Sequence, residues 1–463
     1  MNTNRLKIIL IILGDFLTLW GTLFLILFLR YRTNQNFDLQ EMFQIHIAPF
    51  TLVFATWLVL FGAFGLYDLR TLGLVTVRDA RRLMLRMTEA MIFNMALAII
   101  IFYLIPAFEI EPRRNLFLAA LGSLLFIFGW RCLANLFIAK AKPIQIAFFG
   151  INKEVVGLVD WLLRNPQFGR KPAAFISANS EDTIRELPLP VFTNTQDMRH
   201  LARDLALDAI IITREIKENK VLTRTLFQMI PLGIGVMEFT AFHEMLTGKI
   251  PLSLIGEIWF LENLASSKKE MYEFFKRTFD WGLAMLLSVP FLLFWPFIAL
   301  AIKLDSTGSI FFWQKRIGKN GKEFQLVKFR SMIKNAEGTG GFKKESDDRR
   351  HTSVGKFLRK TYFDELPQII NVLRGEMSFI GPRPERPEYV SELKEKIPFY
   401  EMRLLVPPGI TGWAQINMEN DASVEDAPEK MQYDLYYIKN RSFLLDVLVA
   451  LRTIFIILRR PGR

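Results

Sequence analysis

Cysteine is almost absent from this 463-residue chain: Cys132 is the only one, and it sits inside an apolar run. A disulfide framework is therefore excluded. Histidine is nearly as scarce. His46, His200, His243 and His351 are scattered, with no spacing that would make a zinc site. A cleavable leader is not expected either. The first apolar run is too long for the core of a signal peptide and no small-residue cleavage pattern follows it, so it reads as a retained helix. Acidic residues fall short of basic ones, 46 against 58, for a net charge of +12. That balance suits an anionic partner but does not choose among lipid headgroups, nucleotide-sugars and nucleic acid.

What the chain has in abundance is apolar surface. Hydrophobic residues make up 51% of it, with 42 Phe, a level that points to a membrane rather than to an ordinary soluble core. Four long apolar runs fill the first third, at roughly 8–29, 47–67, 87–105 and 116–139. Each approaches the ~20 residues that cross a bilayer as a helix. Arg5 and Lys7 precede the first run, five arginines (Arg70, Arg78, Arg81, Arg82, Arg86) separate the second from the third, and Lys140 and Lys142 follow the fourth. The other two connections mix both signs, so the positive-inside rule places both ends of this segment in the cytoplasm.

From residue 143 the texture changes. Short apolar stretches at 144–149, 173–176, 209–213 and 234–239 read as strands, and 152–164, 196–206 and 218–229 as helices, an alternation that predicts a small parallel α/β domain. Its first strand runs into Gly150, but the second glycine of a dinucleotide fingerprint is missing and Lys153 takes a place where a small residue is needed. A structural or regulatory domain is the expectation. A fifth apolar run, 279–302, has Lys276 and Arg277 before it and Lys303 after it, with Pro290 and Pro296 inside. Proline deletes a backbone hydrogen bond and bends a helix, and Ser288 could satisfy a freed carbonyl. Cationic flanks at both ends and two breaks predict a helix that enters and leaves on one side, over 276–303, with a kinked straight span as the alternative. The tail at 443–458 reads as an interfacial helix or a packed core helix.

The polar motifs are concentrated in 304–463. Adjacent carboxylates Asp364 and Glu365 follow the bases Arg349, Arg350, Lys356, Arg359 and Lys360. Lys328 and Arg330 lie upstream. Downstream come Gly381-Pro382-Arg383-Pro384 and Pro408-Gly409-Ile410-Thr411-Gly412-Trp413-Ala414-Gln415. An Asp-Glu pair alone is a weak signal. Rigid Pro and Gly turns interleaved with arginine suit a site that fixes anionic oxygens. Moving a phosphoryl group between anionic partners needs cations, a metal on a carboxylate and an aligned nucleophile, and a carboxylate can itself be that nucleophile.

These residues are similar to a known family. Lys276-Arg277-Thr278-Phe279-Asp280, Leu304-Asp305-Ser306-Thr307-Gly308, Lys328-Phe329-Arg330-Ser331-Met332, Asp364-Glu365-Leu366-Pro367-Gln368, Asn371 to Gly375, Met377 to Pro384, Pro408 to Gln415, Tyr433-Asp434 and Leu445-Asp446 occur in order over about 274–460. That segment resembles the bacterial sugar transferases, the polyprenyl-phosphate hexose-1-phosphate transferases with one re-entrant membrane helix. The resemblance, to the long form of these enzymes, implies a membrane α-helical bundle plus α/β architecture. Residues 1–142 would form four transmembrane helices, 143–268 a degenerate Rossmann-like domain, and 269–463 a mixed catalytic domain with the re-entrant helix. It implies catalysis by Asp364, Glu365, Lys328, Arg359 and Asp446, with Asp364 as nucleophile, Glu365 holding Mg²⁺, and Asp446 positioning metal or acceptor. Arg330, Pro382, Arg383, Gln415 and Asp434 would contact substrate, and Ser288, Pro290 and Pro296 would break the helix. The implied partners are a UDP-sugar, undecaprenyl phosphate and the lipid bilayer. A homodimer is left open and nucleic acid is not expected. The implied place is the bacterial cytoplasmic (inner) membrane, multi-pass, with the catalytic domain on the cytoplasmic face.

Two departures matter. The family breaks its helix at a Ser-Pro pair, whereas Ser288-Val289-Pro290 and Trp295-Pro296 lie about one turn either side of that place. Many members carry Gly-Arg-Asn after the Trp-Ala-Gln motif, where this chain has Met418-Glu419-Asn420, so sugar identity is not transferred. The Gly-rich stretch 337–341 is either a plain surface loop or one that closes over substrate. Competing readings are an NAD-dependent nucleotide-sugar epimerase or dehydratase, for which Tyr272 and Lys276 have the required spacing far from Gly150, and a non-enzymatic assembly scaffold, which leaves Asp364 and Glu365 without a purpose.

Overall fold

The computed structural model of the chain describes residues 3–32, 39–67, 77–104, 113–140, 143–177, 187–193, 198–265, 269–333, 350–418 and 426–459. The loop at 337–341, Arg349, Glu419 and Asn420 lie outside them. The chain divides into two compact units, Met1–Phe239 and Thr240–Arg463.

The first unit begins with four long helices, α1 (Thr3–Tyr31), α2 (Leu39–Ala63), α3 (Val77–Leu104) and α4 (Arg113–Lys140). Each contains a stretch long and apolar enough to cross a membrane. Their shared interior is aromatic, with Phe50, Phe54, Trp57 and Phe61 fully buried. It also holds a buried ion pair that hydropathy does not reveal. Arg131 on α4 lies 2.5 Å from Asp15 on α1, while Tyr67 donates to the same carboxylate at 3.0 Å and Arg131 donates to the Leu66 carbonyl at 2.8 Å. An intramembrane charge is retained when it is paired and satisfied.

Beyond α4 the chain forms β1 (Ile144–Phe149), α5 (Lys153–Arg164), β2 (Arg170–Ile176), β3 (Val191–Phe192), α6 (Met198–Asp204), β4 (Ala209–Ile212), α7 (Lys220–Phe227) and β5 (Gly235–Glu238). The five strands are all parallel, in the order β3-β2-β1-β4-β5, the doubly wound order in which the chain reverses direction at β1. The runs read as strands and helices fall on these elements. Only β3, two residues long, carries no periodic signal. At the N-terminus of α5, Asn152 accepts from the Val155 amide at 2.9 Å, so the protein itself occupies that donor.

The second unit is organised around α8 (Glu270–Asp305), a fifth helix long and apolar enough for a membrane. It runs unbroken through Pro290 and Pro296. Ser288 donates to Ala284 O at 2.7 Å rather than to Leu286 O, the carbonyl that Pro290 leaves without its i+4 donor, so the expected role of Ser288 is not the observed one. Leu286, Val289, Leu293 and Phe297 on α8 are more than half exposed, an apolar surface that protein does not cover. The inner face of α8 packs on the hairpin of β6 (Phe311–Ile317) and β7 (Glu323–Phe329). Phe291, Trp295, Phe311 and Phe329 meet there as a row of rings. Next come α9 (Ser353–Lys360), a 3-10 turn (Phe363–Gln368), α10 (Ile369–Arg374) and β8 (Ser378–Ile380). They are followed by α11 (Pro387–Lys396), a second 3-10 turn (Tyr400–Leu405), β9 (Gly409–Thr411), α12 (Ala427–Asn440) and α13 (Phe443–Arg459). β8 and β9 pair in parallel, and their backbones approach so closely that a Cβ on Gly409 would lie 2.1 Å from the Gly381 nitrogen. Only glycine fits such an approach.

Candidate active site

The 3-10 turn carries the adjacent carboxylates, and its place is fixed by β7 and the two helices that flank it. Tyr362, with φ of 58°, turns the chain sharply out of α9 so that Asp364 faces inward and is buried. On the other side, Asn371 of α10 is fully buried. It accepts from the Val327 amide at 3.1 Å and donates to the Gln325 carbonyl at 2.7 Å, stitching α10 to β7. Arg277 of α8 caps the same helix, donating to Val372 O at 2.7 Å and Leu373 O at 3.2 Å.

Lys328, near the end of β7, donates to Glu365 Oε1 at 2.6 Å. Arg383, from the Pro-Arg-Pro turn after β8, approaches the same oxygen at 3.8 Å. Burial pushes the Asp364 carboxyl up to about 6. Lys328 pulls against that rise, the Glu365 charge adds to it, and Arg359 and Arg383 oppose it. Arg359 Nη1 donates to His351 Nε2 at 2.5 Å, and His351 Nδ1 faces the Ser331 carbonyl at 3.3 Å, a pairing that sequence reading missed. Asp364, Glu365, Lys328, Arg359 and Arg383 thus form one site: a buried carboxyl with a carboxylate neighbour and three cations within electrostatic reach.

The other expected site residues have other surroundings. Arg330 is buried and turned to the C-terminal end of α8, where Nη2 donates to Ser306 O at 2.7 Å and Ser306 Oγ at 2.8 Å. Asp434 is buried in an ion pair with Arg403 at 2.8 Å and offers no surface to a substrate. Pro382 is buried and its carbonyl accepts from the Gly409 amide at 2.9 Å, so it shapes the turn. Gln415 donates weakly to Ile410 O at 3.3 Å, and its Oε1 is buried without a partner. Asp446 accepts from Tyr272 at 2.7 Å, Lys276 at 3.0 Å and Tyr437 at 2.7 Å. It ties α13 to α8 and α12. The Tyr272 and Lys276 spacing that an epimerase would need therefore serves this carboxylate instead.

Among the described residues no three His, Cys, Asp or Glu side chains come together as a metal cage. A magnesium ion does not require one, because one or two carboxylates plus substrate phosphates and water complete its sphere. The hard carboxylate oxygens of Glu365 suit that role.

Residues 271–460 match the family described as bacterial sugar transferase. The chain is 42% identical over 232 residues to a UDP-N-acetylgalactosamine-undecaprenyl-phosphate N-acetylgalactosaminephosphotransferase of Aeromonas hydrophila, covering 50% of this chain and 53% of that protein. It is 43% identical over 161 residues to a UDP-glucose:undecaprenyl-phosphate glucose-1-phosphate transferase of Escherichia coli (strain K12), covering 34% of each. It is 38% identical over 187 residues to an uncharacterized sugar transferase of Bacillus subtilis (strain 168), covering 40% of this chain and 89% of that protein. The chain thus spans about half of the Aeromonas protein and a third of the Escherichia coli one.

Proposed function

We propose a function from an established premise: the chain belongs to the bacterial sugar transferase family. It transfers a sugar-1-phosphate from a UDP-sugar to undecaprenyl phosphate and releases UMP, the step that starts an extracellular polysaccharide or glycoconjugate. The observation that carries this reading is the buried Asp364, beside Glu365 and within reach of Lys328, Arg359 and Arg383. Bound phosphates would find cations there and a carboxylate poised between charge states. The sugars named for the relatives differ, so the reading stops at a UDP-sugar.

In the proposed sequence an Asp364 carboxylate oxygen attacks the sugar-side phosphorus of the UDP-sugar. The bond from that phosphorus to the UMP oxygen breaks, and UMP leaves with the electron pair. The phosphosugar stays on Asp364 as an acyl phosphate. An oxygen of undecaprenyl phosphate then attacks the same phosphorus and the Asp364 carboxylate is released. Lys328, Arg359 and Arg383 offset charge on the transferred group. Glu365 would hold Mg²⁺, which supplies Lewis-acid stabilisation of the phosphate oxygens.

The apolar acceptor places such a site at a membrane surface. Basic residues at both ends of α8 support a helix that enters and leaves on the cytoplasmic side of the inner membrane. The test is UMP release from a panel of UDP-sugars by the purified protein in nanodiscs containing undecaprenyl phosphate. One sugar should give stoichiometric UMP and lipid-linked product, and excess chelator should stop both. No product with any UDP-sugar rejects the reading, and turnover undiminished by chelator rejects Glu365 as a metal ligand.

A further inference from the structure

Behind the Pro-Arg-Pro turn lies a buried charged network that no sequence motif announced. Arg316 on β6, Arg403 on the second 3-10 turn and Lys430 on α12 surround Glu385, the residue that follows Pro384. Lys430 donates to Glu385 at 2.7 Å, and Arg316 and Arg403 stand 3.8 Å and 3.9 Å from the same carboxylate. Arg403 is 4% exposed and makes three further contacts. Nη2 donates to the Arg383 carbonyl at 3.0 Å and lies 2.8 Å from Asp434, while Nη1 donates to the Tyr400 hydroxyl at 2.5 Å. Arg316 donates to the Pro384 carbonyl at 2.9 Å. The Ile317 amide donates to Glu385 O at 3.0 Å and the Gly409 amide to Pro382 O at 2.9 Å. Each of the four residues from Pro382 to Glu385 is therefore held from outside, and the Arg383 side chain is left as the part of the turn that reaches Glu365.

A buried ion network is weak evidence of stability, because desolvation offsets the attraction, but this one binds the turn's backbone at two defined carbonyls. Burial lowers the Arg316 guanidinium to about 10, and it remains charged at neutral pH. Burial also opposes the charge on Arg403, but Tyr400, Asp434 and Glu385 outweigh it and hold that group protonated. A merely stable turn would not need three cations directed at its own backbone and at one glutamate.

We propose that Arg403 is a positioning residue: through the Arg383 carbonyl and the Glu385–Asp434 network it sets where the Arg383 guanidinium stands relative to the carboxylate pair. In its mechanistic part this rests on the transferase reading above, in which Arg383 meets the transferred phosphate.

The experiment is a double-mutant cycle on the full chain in nanodiscs, with Arg403→Lys, Arg383→Ala and the two combined. Arg403→Lys keeps the charge but cannot span Tyr400, Asp434 and the Arg383 carbonyl together. It should lower kcat/KM by roughly 10–100-fold in the wild-type background and by about 2-fold or less when Arg383 is already alanine, because the two act through one guanidinium. Arg403→Met with Asp434→Leu, which leaves no unpaired aspartate, should behave alike. Hydrogen exchange on the same proteins needs no turnover. The Ile317 and Gly409 amides should exchange faster, while 369–376 should not change. Losses that multiply across the cycle overturn the inference, and so does unchanged exchange at Ile317 and Gly409. A wild-type protein that transfers no sugar rejects the proposed function, and the exchange comparison then decides this inference by itself.

Discussion

In the proposed mechanism Asp364 has to be ionised to attack phosphorus, yet burial makes ionisation costly, so its chemistry and its effect on stability follow one proton. With a folded pKa near 6 against an ordinary value of 3.8, the folded state holds that proton more tightly than the unfolded chain does. The resulting stabilisation is fully present below pH 3.8 and is lost as pH rises through 6. At pH 8 the ionised Asp364 therefore destabilises the fold, by on the order of 1–3 kcal/mol. Asp364→Asn should abolish UMP release and at the same time raise Tm at pH 8, a gain that shrinks towards pH 4. Equal melting curves for the two proteins across that range would refute the account. The acid limb of kcat/KM should fall near pH 6 in the wild type. Lys328 is the strongest influence holding the Asp364 pKa down, so Lys328→Met should move that limb to higher pH and lower kcat. A pH-rate profile separates the two effects.

At the scale of elements, the site depends on how α9 and α13 seat on their neighbours. A Cβ on Gly355 would lie 2.0 Å from the Ser331 carbonyl, because α9 presses against the end of the strand that carries Lys328. Gly355→Ala should cost about 1–3 kcal/mol through the forced shift and should lower kcat, since Arg359 leaves from the same helix. Asp446 binds α13 to α8 through Tyr272, Lys276 and Tyr437. Removing its charge strands Lys276, whose side chain is only 13% exposed. Asp446→Asn should therefore lower stability by about 2–4 kcal/mol and leave the proposed dependence on Mg²⁺ unchanged. A lost or weakened Mg²⁺ dependence in that variant would return Asp446 to the metal-positioning role implied by the family resemblance.

These elements also explain what the sequence could and could not disclose. Strand and helix runs were legible because the interior selects an apolar period, and Asp364, Glu365, Lys328, Arg359 and Arg383 were picked out by short motifs that resemble those of the family, Arg383 in a turn built from Gly and Pro. The direction of a polar side chain was not. Arg330 sits two residues after Lys328 yet serves the end of α8, and Asp434 is buried against an arginine 31 residues away in the chain. Arg316, Arg403, Glu385 and Lys430 come from four separate segments, so no local pattern marks them. Arg131 inside an apolar helix escaped for the same reason, since its partner Asp15 lies 116 positions earlier.

At the scale of the whole molecule, the chain's division at Phe239 and Thr240 leaves every residue of the site in the second unit. The Bacillus subtilis relative matches only 40% of this chain, but that match covers 89% of its own length, so a relative exists that is little longer than the stretch it shares with this chain. If the proposed reaction needs only the second unit, which holds the family match at 271–460, residues 240–463 expressed alone should insert through α8, bind membranes and retain UMP release within about 10-fold of the full chain. Topology can be read on the same shortened protein, which contains no cysteine because Cys132 lies in the first unit. Single cysteines placed at Lys269 and Thr307, beyond the two ends of α8, should both react with a membrane-impermeant maleimide in inverted vesicles and neither in intact cells. Labelling of the two positions from opposite sides would make α8 a straight span and would put Asp364 and Lys276 on opposite faces of the bilayer, even though Lys276 and Arg277 hold Asp446 and the end of α10 within the same unit. Those contacts are the physical reason to expect same-side labelling: the first turns of α8 cap α10 and its last turn anchors Arg330, both within the one unit.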